Sequence, residues 1–448
     1  MPNYATWKNL YKDEFYHMTL EGCRTDGPSA DGKPLVLPDA PGDVDWEKEY
    51  DRLWSVREKG LRPGYPYVEP VEYEDILKEC SPLPELRPLD EDEYLERLSG
   101  AVRGRIAGVV LGKPVEQSLT HEKIKSFLEY IGEYPPRFYI SEASQPGGVA
   151  VSECSRGKFG PAPFDDDIDY TLFDMWLVEM CGFGFRPFDV GITALGVMSY
   201  HSVWCSSRFA YRKMVNFDWN EGNIDEYMKT IPWKGNPYRE CIDGAIKTDF
   251  WGYVCPGDPV KAAYYAYRDC SYSLAKNGVY GGMFVAGCVA AAMSKNPSVD
   301  SILDAGLAVI PKKSRLHEDI AWVRERYAAT GGDFEKVINE IEKRFEGMPV
   351  YDTENNESIV ALAILHGGLD YTETIAHAVA CGCDTDCDSG TAGSIVGAAV
   401  GDRGVPEYWT EPFNDTMRSY LCPIGSMKIS DFVKRIASLR EKRLSENG

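Results

Sequence analysis

The chain has no run of apolar residues long enough to cross a bilayer. Its longest, residues 279–293, spans about 15 positions rich in Gly and Ala, short of the roughly 20 a spanning helix needs. It has no Lys/Arg-rich run either, and its net charge is −22, which argues against nucleic acid as a primary partner. There is no Cys-x-x-Cys pair, and no His-x-x-x-His near the cysteines, so thiolate zinc has little support. The thirteen cysteines are odd in number and irregular in spacing, which does not read as a disulfide framework. Residues 1–8 carry no signal-peptide core, and the expected setting is reducing, soluble and cytoplasmic. Walker A, Gly-x-Ser-x-Gly and His-Glu-x-x-His sequences are all missing, which removes the signatures of P-loop, α/β-hydrolase and zincin chemistry. Alternating strand patterns are scarce.

What is present is a 448-residue globular composition, 44% hydrophobic and 12% aromatic, sufficient for a large core. Residues 1–92 are rich in Pro, Gly, acids, Tyr and Trp, with one amphipathic helix predicted over 43–59 and breaks at Pro63, Pro66 and Pro70. They read as a loop-rich extension that packs on the main body or caps a cleft. From Asp90 the pattern turns helical. Asp90-Glu91-Asp92-Glu93 opens a helix through Leu95, Leu98, Val102 and Ile106 that stops at Gly112-Lys113-Pro114. Residues 133–164, with Gly147-Gly148, are loop-rich. Helices are then predicted over 169–181, 189–205, 240–250, 259–275, 279–294, 299–308, 315–329, 333–344, 357–367, 371–380, 388–401 and 428–443. Residues 93–448 thus read as one all-α domain.

Two helices carry glycine every fourth residue: Gly104, Gly108, Gly112 and Gly393, Gly397, Gly401. Residues four apart share a helical face, so these helices can approach closely. Carboxylates sit at their ends. Glu116 follows the first, and Asp384, Asp386 and Asp388 open the second. A third cluster, Asp165-Asp166-Asp167 with Asp169, lies between a proline-rich loop and another predicted helix. One or two Asp would suffice to cap a helix; three in a row repel one another unless a cation intervenes. Two such clusters suit a hard divalent cation. Glu116 reads either as an acid or base aimed into a cleft or as a solvated loop residue. Tyr280, beside Gly281-Gly282, either packs between helices or stacks on a base or sugar.

Together these residues resemble the ADP-ribosylglycohydrolase family. The stretch 104–116 resembles its glycine-rich helix leading to Glu. Asp165-Asp166-Asp167 resembles its Thr-Asp-Asp, and residues 382–387 its Gly-Asp-Thr-Asp-Thr. Residues 268–274 are similar to the family's Asp-Ala-Ser-x-x-His stretch. Three positions depart: Asp165 stands for Thr, Cys387 for Thr or Ser, and Leu274 for His. The resemblance implies an all-α, compact multi-helix bundle with a central dinuclear Mg²⁺ or Mn²⁺ site. Its ligands would be Asp165, Asp166, Asp167, Asp384 and Asp386, with Cys387, Asp388 or Ser389 at the departing position. It implies hydrolysis of the glycosidic bond at C1 of a terminal ribose, with Glu116, Asp166 and Asp386 as catalytic groups. Asp269, Tyr280, Gly281 and Gly282 would contact the substrate, a small ribosyl or ADP-ribosyl compound or an ADP-ribosylated protein. An extension lying over the cleft would favour a small substrate. Two rivals stand beside this reading: a non-catalytic metal- or ligand-binding relative, and a dinuclear-metal phosphoesterase. The pattern carries no sign of a membrane or nucleic-acid partner.

Overall fold

The computed structural model describes residues 6–116, 120–142, 153–218 and 222–446. Gly147-Gly148 of the expected loop lie outside them. The fold is mostly helical. Three helices precede the glycine-rich region: α1 (Trp7–Leu20), α2 (Trp46–Trp54) and α3 (Tyr73–Glu79). Then come α4 (Glu91–Gly112), α5 (His121–Tyr130), α6 (Asp166–Cys181), α7 (Pro187–Val197), α8 (Cys205–Val215) and α9 (Ile224–Met228). They are followed by α10 (Asp249–Val254), α11 (Pro259–Cys270), α12 (Asn277–Ala292), α13 (Val299–Ala308), α14 (Arg315–Ala329) and α15 (Phe334–Arg344). The last are α16 (Thr353–Gly367), α17 (Tyr371–Cys381), α18 (Thr385–Val400) and α19 (Ile429–Glu446). A short antiparallel hairpin, β1 (Thr416–Arg418) and β2 (Ser426–Lys428), pairs Met417 with Met427. Among the described residues no helix is long and apolar enough to cross a membrane.

The centre of the fold is the pairing of α4 with α18. Asp90 starts α4 with a capping box: its Oδ1 accepts from Glu93 N at 3.0 Å, and Glu93 Oε2 accepts from Asp90 N at 2.9 Å. Such a cap contributes about 1 kcal/mol. Along α4 every fourth residue is glycine, and each meets the α18 segment in descending order. A Cβ on Gly100 would stand 2.4 Å from Gly401 C, on Gly104 2.4 Å from Gly393 O, on Gly108 2.1 Å from Ser389 O and on Gly112 2.2 Å from Thr385 O. No side chain fits there, so backbone packs on backbone. The order also makes the two helices antiparallel, which sets the last turn of α4 beside the first turn of α18. Carboxylates at those two ends are thereby neighbours in space.

Several elements differ from the sequence reading. The helix expected over 189–205 ends at Val197, and a new one, α8, begins at Cys205. The segment 240–250 forms only a 3₁₀ turn, Ile242–Gly244, before α10 starts at Asp249. There a Cβ on Gly244 would stand 2.1 Å from Gly278 O, so this stretch is shaped by its neighbour rather than by its own period. Helix α1 was not expected. Its buried face includes Glu14 and His17, which break the apolar period that would have revealed it. Their partners lie far along the chain. Arg239 Nη2 is 2.8 Å from Glu14 Oε1, and its Nε donates to Glu21 Oε1 at 2.6 Å. Arg315 likewise bonds Glu69 at 2.9 Å. Glu14, Glu21 and Glu69 therefore form buried ion pairs with Arg239 and Arg315, far along the chain.

Candidate active site at the junction of three helices

Helix α4 ends in a 3₁₀ turn, Lys113–Val115, with Pro114 in its first turn. The turn carries Lys113 and Glu116 past the tip of the helix. Opposite, Asp384 stands at the N-cap of α18 and makes no side-chain capping bond to the helix backbone. Thr385 Oγ1 donates to Gly112 O at 2.9 Å and joins the two tips. Helix α6 brings the third set. Asp165 caps it, its Oδ1 accepting from Asp167 N at 2.9 Å. Arg105, a charge in the middle of α4, ties α6 to this junction. Its Nε donates to Thr171 Oγ1 at 2.9 Å and its Nη2 to Asp167 O at 2.9 Å.

Lys113 sits among the carboxylates. Its Nζ is 2.7 Å from Glu116 Oε2, 3.0 Å from Asp165 Oδ2 and 2.8 Å from Asp386 Oδ2. Burial works against its charge, yet Asp165, Asp386 and Glu116 outweigh it and hold the ammonium well above the usual lysine range. Ligand atoms of Asp165, Asp166 and Asp167 lie within 4.8 Å of one another, as do those of Glu116, Asp384 and Asp386, and those of Asp167, Asp386 and Cys387. The Cys387 thiol donates to Asp167 Oδ2 at 3.2 Å. All of these groups but Asp165 open onto a cavity of about 450 Å³, which Trp204, Cys205, Asp243, Val350 and Tyr351 also line.

The electrostatics of the cluster follow from crowding. Burial first, and then the neighbouring acids, push Asp166, Asp167 and Asp384 well above the ordinary carboxylate range. Glu116 is pushed up to about 7 by burial and by Asp386, with Lys113 opposing. Several carboxylates held this close cannot all ionise without more positive charge than one lysine supplies. Asp386 Oδ1 is buried without a hydrogen-bond partner. Hard oxygen donors in this number, one of them unsatisfied, fit a divalent cation.

Of the residues expected at the site, Glu116, Asp165, Asp166, Asp167, Asp384, Asp386 and Cys387 are brought together here. Others are placed elsewhere. Ser389 is turned into the helix contact, its Oγ donating to Gly108 O at 2.7 Å and Thr385 O at 2.6 Å. Asp388 is fully buried and does not line the cavity. Asp269 is buried against Lys247, 3.2 Å from its Nζ, and away from the cavity lining. Tyr280 donates its hydroxyl to Pro70 O in the N-terminal segment. Gly281 lies against Thr353, and Gly282 against Cys270 and Gly244, so both serve helix packing. None of these four expected substrate contacts lines the cavity. The N-terminal segment contributes none of the described lining residues. It reaches the wall indirectly, through His17 Nε2 at 3.7 Å from Asp352 Oδ1.

Sequence reasoning passed over Lys113, Arg105, Asp243, Trp204 and Tyr351. The signal for the first two was present: a charge inside a glycine-faced apolar helix, and one at its end, both need partners. Trp204 and Tyr351 lie on loops, and Asp243 in the 3₁₀ turn Ile242–Gly244, whose folding brings them in.

A family model described as ADP-ribosylglycohydrolase matches residues 90–444. No curated protein matches the chain in sequence. A solved structure titled "ADP-ribosylglycohydrolase-related protein complex" is similar at 16% identity and a TM-score of 0.49, covering 78% of this chain and 99% of that one.

Proposed function

Because the chain belongs to the ADP-ribosylglycohydrolase family, we propose that this cavity hydrolyses the glycosidic bond at C1 of a terminal ribose, in ADP-ribosylated or related ribosyl compounds. One observation carries the reading. Glu116, Asp165 and Asp386 come from three separate segments and meet within 3.0 Å of Lys113 Nζ, beside an open cavity that Glu116, Asp386 and Lys113 line. A structural ion cluster would have no reason to face a cavity of about 450 Å³.

Asp165, Asp166, Asp167, Asp384 and Asp386 would hold two Mg²⁺ or Mn²⁺ ions, which supply charge to orient the ribose hydroxyls and to acidify a bound water. Glu116 then acts on the proton. Its carboxylate is partly exposed to the cavity and oriented by the 2.7 Å contact with Lys113. It takes a proton as water adds to C1, and returns it to the nitrogen or oxygen that leaves as the glycosidic bond breaks. Asp166 and Asp386 orient the reacting ribose. Cys387 and Arg105 act as positioning residues, both by fixing Asp167.

The test is turnover of a panel in Mg²⁺ or Mn²⁺ and in EDTA. It comprises arginine- and serine-linked ADP-ribose, O-acetyl-ADP-ribose, ADP-ribose 1″-phosphate and simple ribosides. Metal-dependent cleavage of any member is the expected result. Silence across the panel, from protein that demonstrably binds the metal, would sink the hydrolase.

A further inference from the structure

The charge of the cavity lining bears on which ribosyl compound enters. Glu116, Asp166, Asp167, Asp243, Asp384 and Asp386 line it, and Lys113 is the one basic side chain among the described lining residues. That lysine is already within 3.0 Å of three carboxylates. Residues 117–119, 143–152 and 219–221 contain no Lys or Arg, so those stretches add no cation. Arg208 comes near, but it is buried, lies 4.0 Å from the centroid of the Trp204 ring and donates Nε to Val203 O. Cations held by the acidic floor would be offset by the carboxylates that hold them. A diphosphate in this cavity would meet like charge, and among the described lining residues no arginine and only the already paired Lys113 would be there to receive it, whereas Arg and Lys are common diphosphate partners.

The rest of the lining is of another kind: Trp204, Ile242, Ile246, Val350 and Tyr351. Trp204 is half-exposed, and the Arg208 guanidinium against its ring holds it in place. Aromatic and aliphatic walls beside a polar floor suit a molecule with a sugar at one end and a flat ring at the other.

We propose that the preferred substrate is a simple N-riboside of a planar heterocycle, neutral or cationic, without a diphosphate. This rests on the ribose-hydrolase reading above and narrows it. Water adds to C1 and the C1–N bond breaks, its electron pair passing to the ring nitrogen. The proton released by water goes to that nitrogen when the heterocycle is neutral, and to solvent when the ring was a cation.

Titration calorimetry on the full chain, saturated with Mn²⁺, tests this with ribose, inosine, nicotinamide riboside and ADP-ribose. The ribosides are expected to bind at least tenfold tighter than ADP-ribose, and added salt should strengthen ADP-ribose binding by screening repulsion. Trp204→Ala, at a half-exposed position, should weaken riboside binding about tenfold and leave ribose unchanged, as loss of a stacking face would. ADP-ribose binding tighter than the ribosides, with affinity falling as salt rises, overturns the narrowing and leaves the hydrolase standing. Absence of metal-dependent binding by every ribosyl probe overturns both.

Discussion

Lys113 Nζ stands 2.8 Å from Asp386 Oδ2, so a lysine at the end of one glycine-faced helix neutralises an aspartate in the first turn of the other. The contact predicts the behaviour of the metal-free protein. Lys113→Met leaves Asp165, Asp386 and Glu116 facing one another, and removing one partner of a buried pair costs about 3 kcal/mol. The variant should melt well below wild type in EDTA, and Mn²⁺ should raise its melting temperature by more than it raises that of wild type. Equal shifts in a thermal titration would show that lysine and metal do not share these carboxylates.

Gly108 answers to sterics alone. Its Cβ would fall 2.1 Å from Ser389 O, while one on Gly184 would meet nothing within 4 Å. Gly108→Ala should lose about 3 kcal/mol or more in denaturant unfolding, because two backbones must separate. Gly184→Ala should lie within roughly 0.5 kcal/mol of wild type, the usual range for an unencumbered surface change.

For Glu116→Gln the expected effect is on rate. Removing a positioned acid or base lowers kcat by about 10²- to 10⁴-fold. The metal-induced rise in melting temperature should persist, since five aspartates remain. A variant with full turnover would remove Glu116 from the chemistry.

His17 makes stability depend on acid. Burial, and then the charge of Arg239, hold its imidazole down at about 3, against 6.5 in the open chain. Asp352, 3.7 Å away, is itself pushed up by burial, which weighs against an ion pair between the two. Between pH 6.5 and about 3 the unfolded chain takes up a proton that the native state refuses. Stability therefore falls as pH drops through that window, by at most about 1.4 kcal/mol per unit. Unfolding at pH 4.5 and pH 7 should show a smaller acid loss for His17→Gln than for wild type. An equal loss in both would assign the acid sensitivity elsewhere.

The helix contact was readable because glycine at every fourth position has one strong physical use, and the clusters at its ends announced themselves by repulsion. The carboxylate set could be read from the chain for the same reason. Tyr280 and Gly281-Gly282 misled because small and aromatic residues together describe a tight core as well as a ligand pocket. The Thr353 methyl against Gly281, Cys270 against Gly282 and Pro70 O on the Tyr280 hydroxyl tell them apart. Trp204 falls within the helix expected over 189–205, which instead ends at Val197, and Tyr351 lies on a loop, which obeys no period. Helix α1 was hidden by Glu14 and His17, whose burial depends on an arginine more than two hundred residues away.

That arginine bears on where the protein can be cut. The family match begins at residue 90, an inviting place to start an expression clone. Yet Glu14, Glu21 and Glu69 neutralise Arg239 and Arg315, while Leu10, Tyr11, Met18 and Leu53 are wholly buried. A clone trimmed to the match would strip Arg239 of Glu14 and Glu21, leave Arg315 with Glu240 and Glu354 alone, and wet the apolar surface beneath them. The shortest fragment to yield soluble protein should therefore extend well upstream of the homologous region.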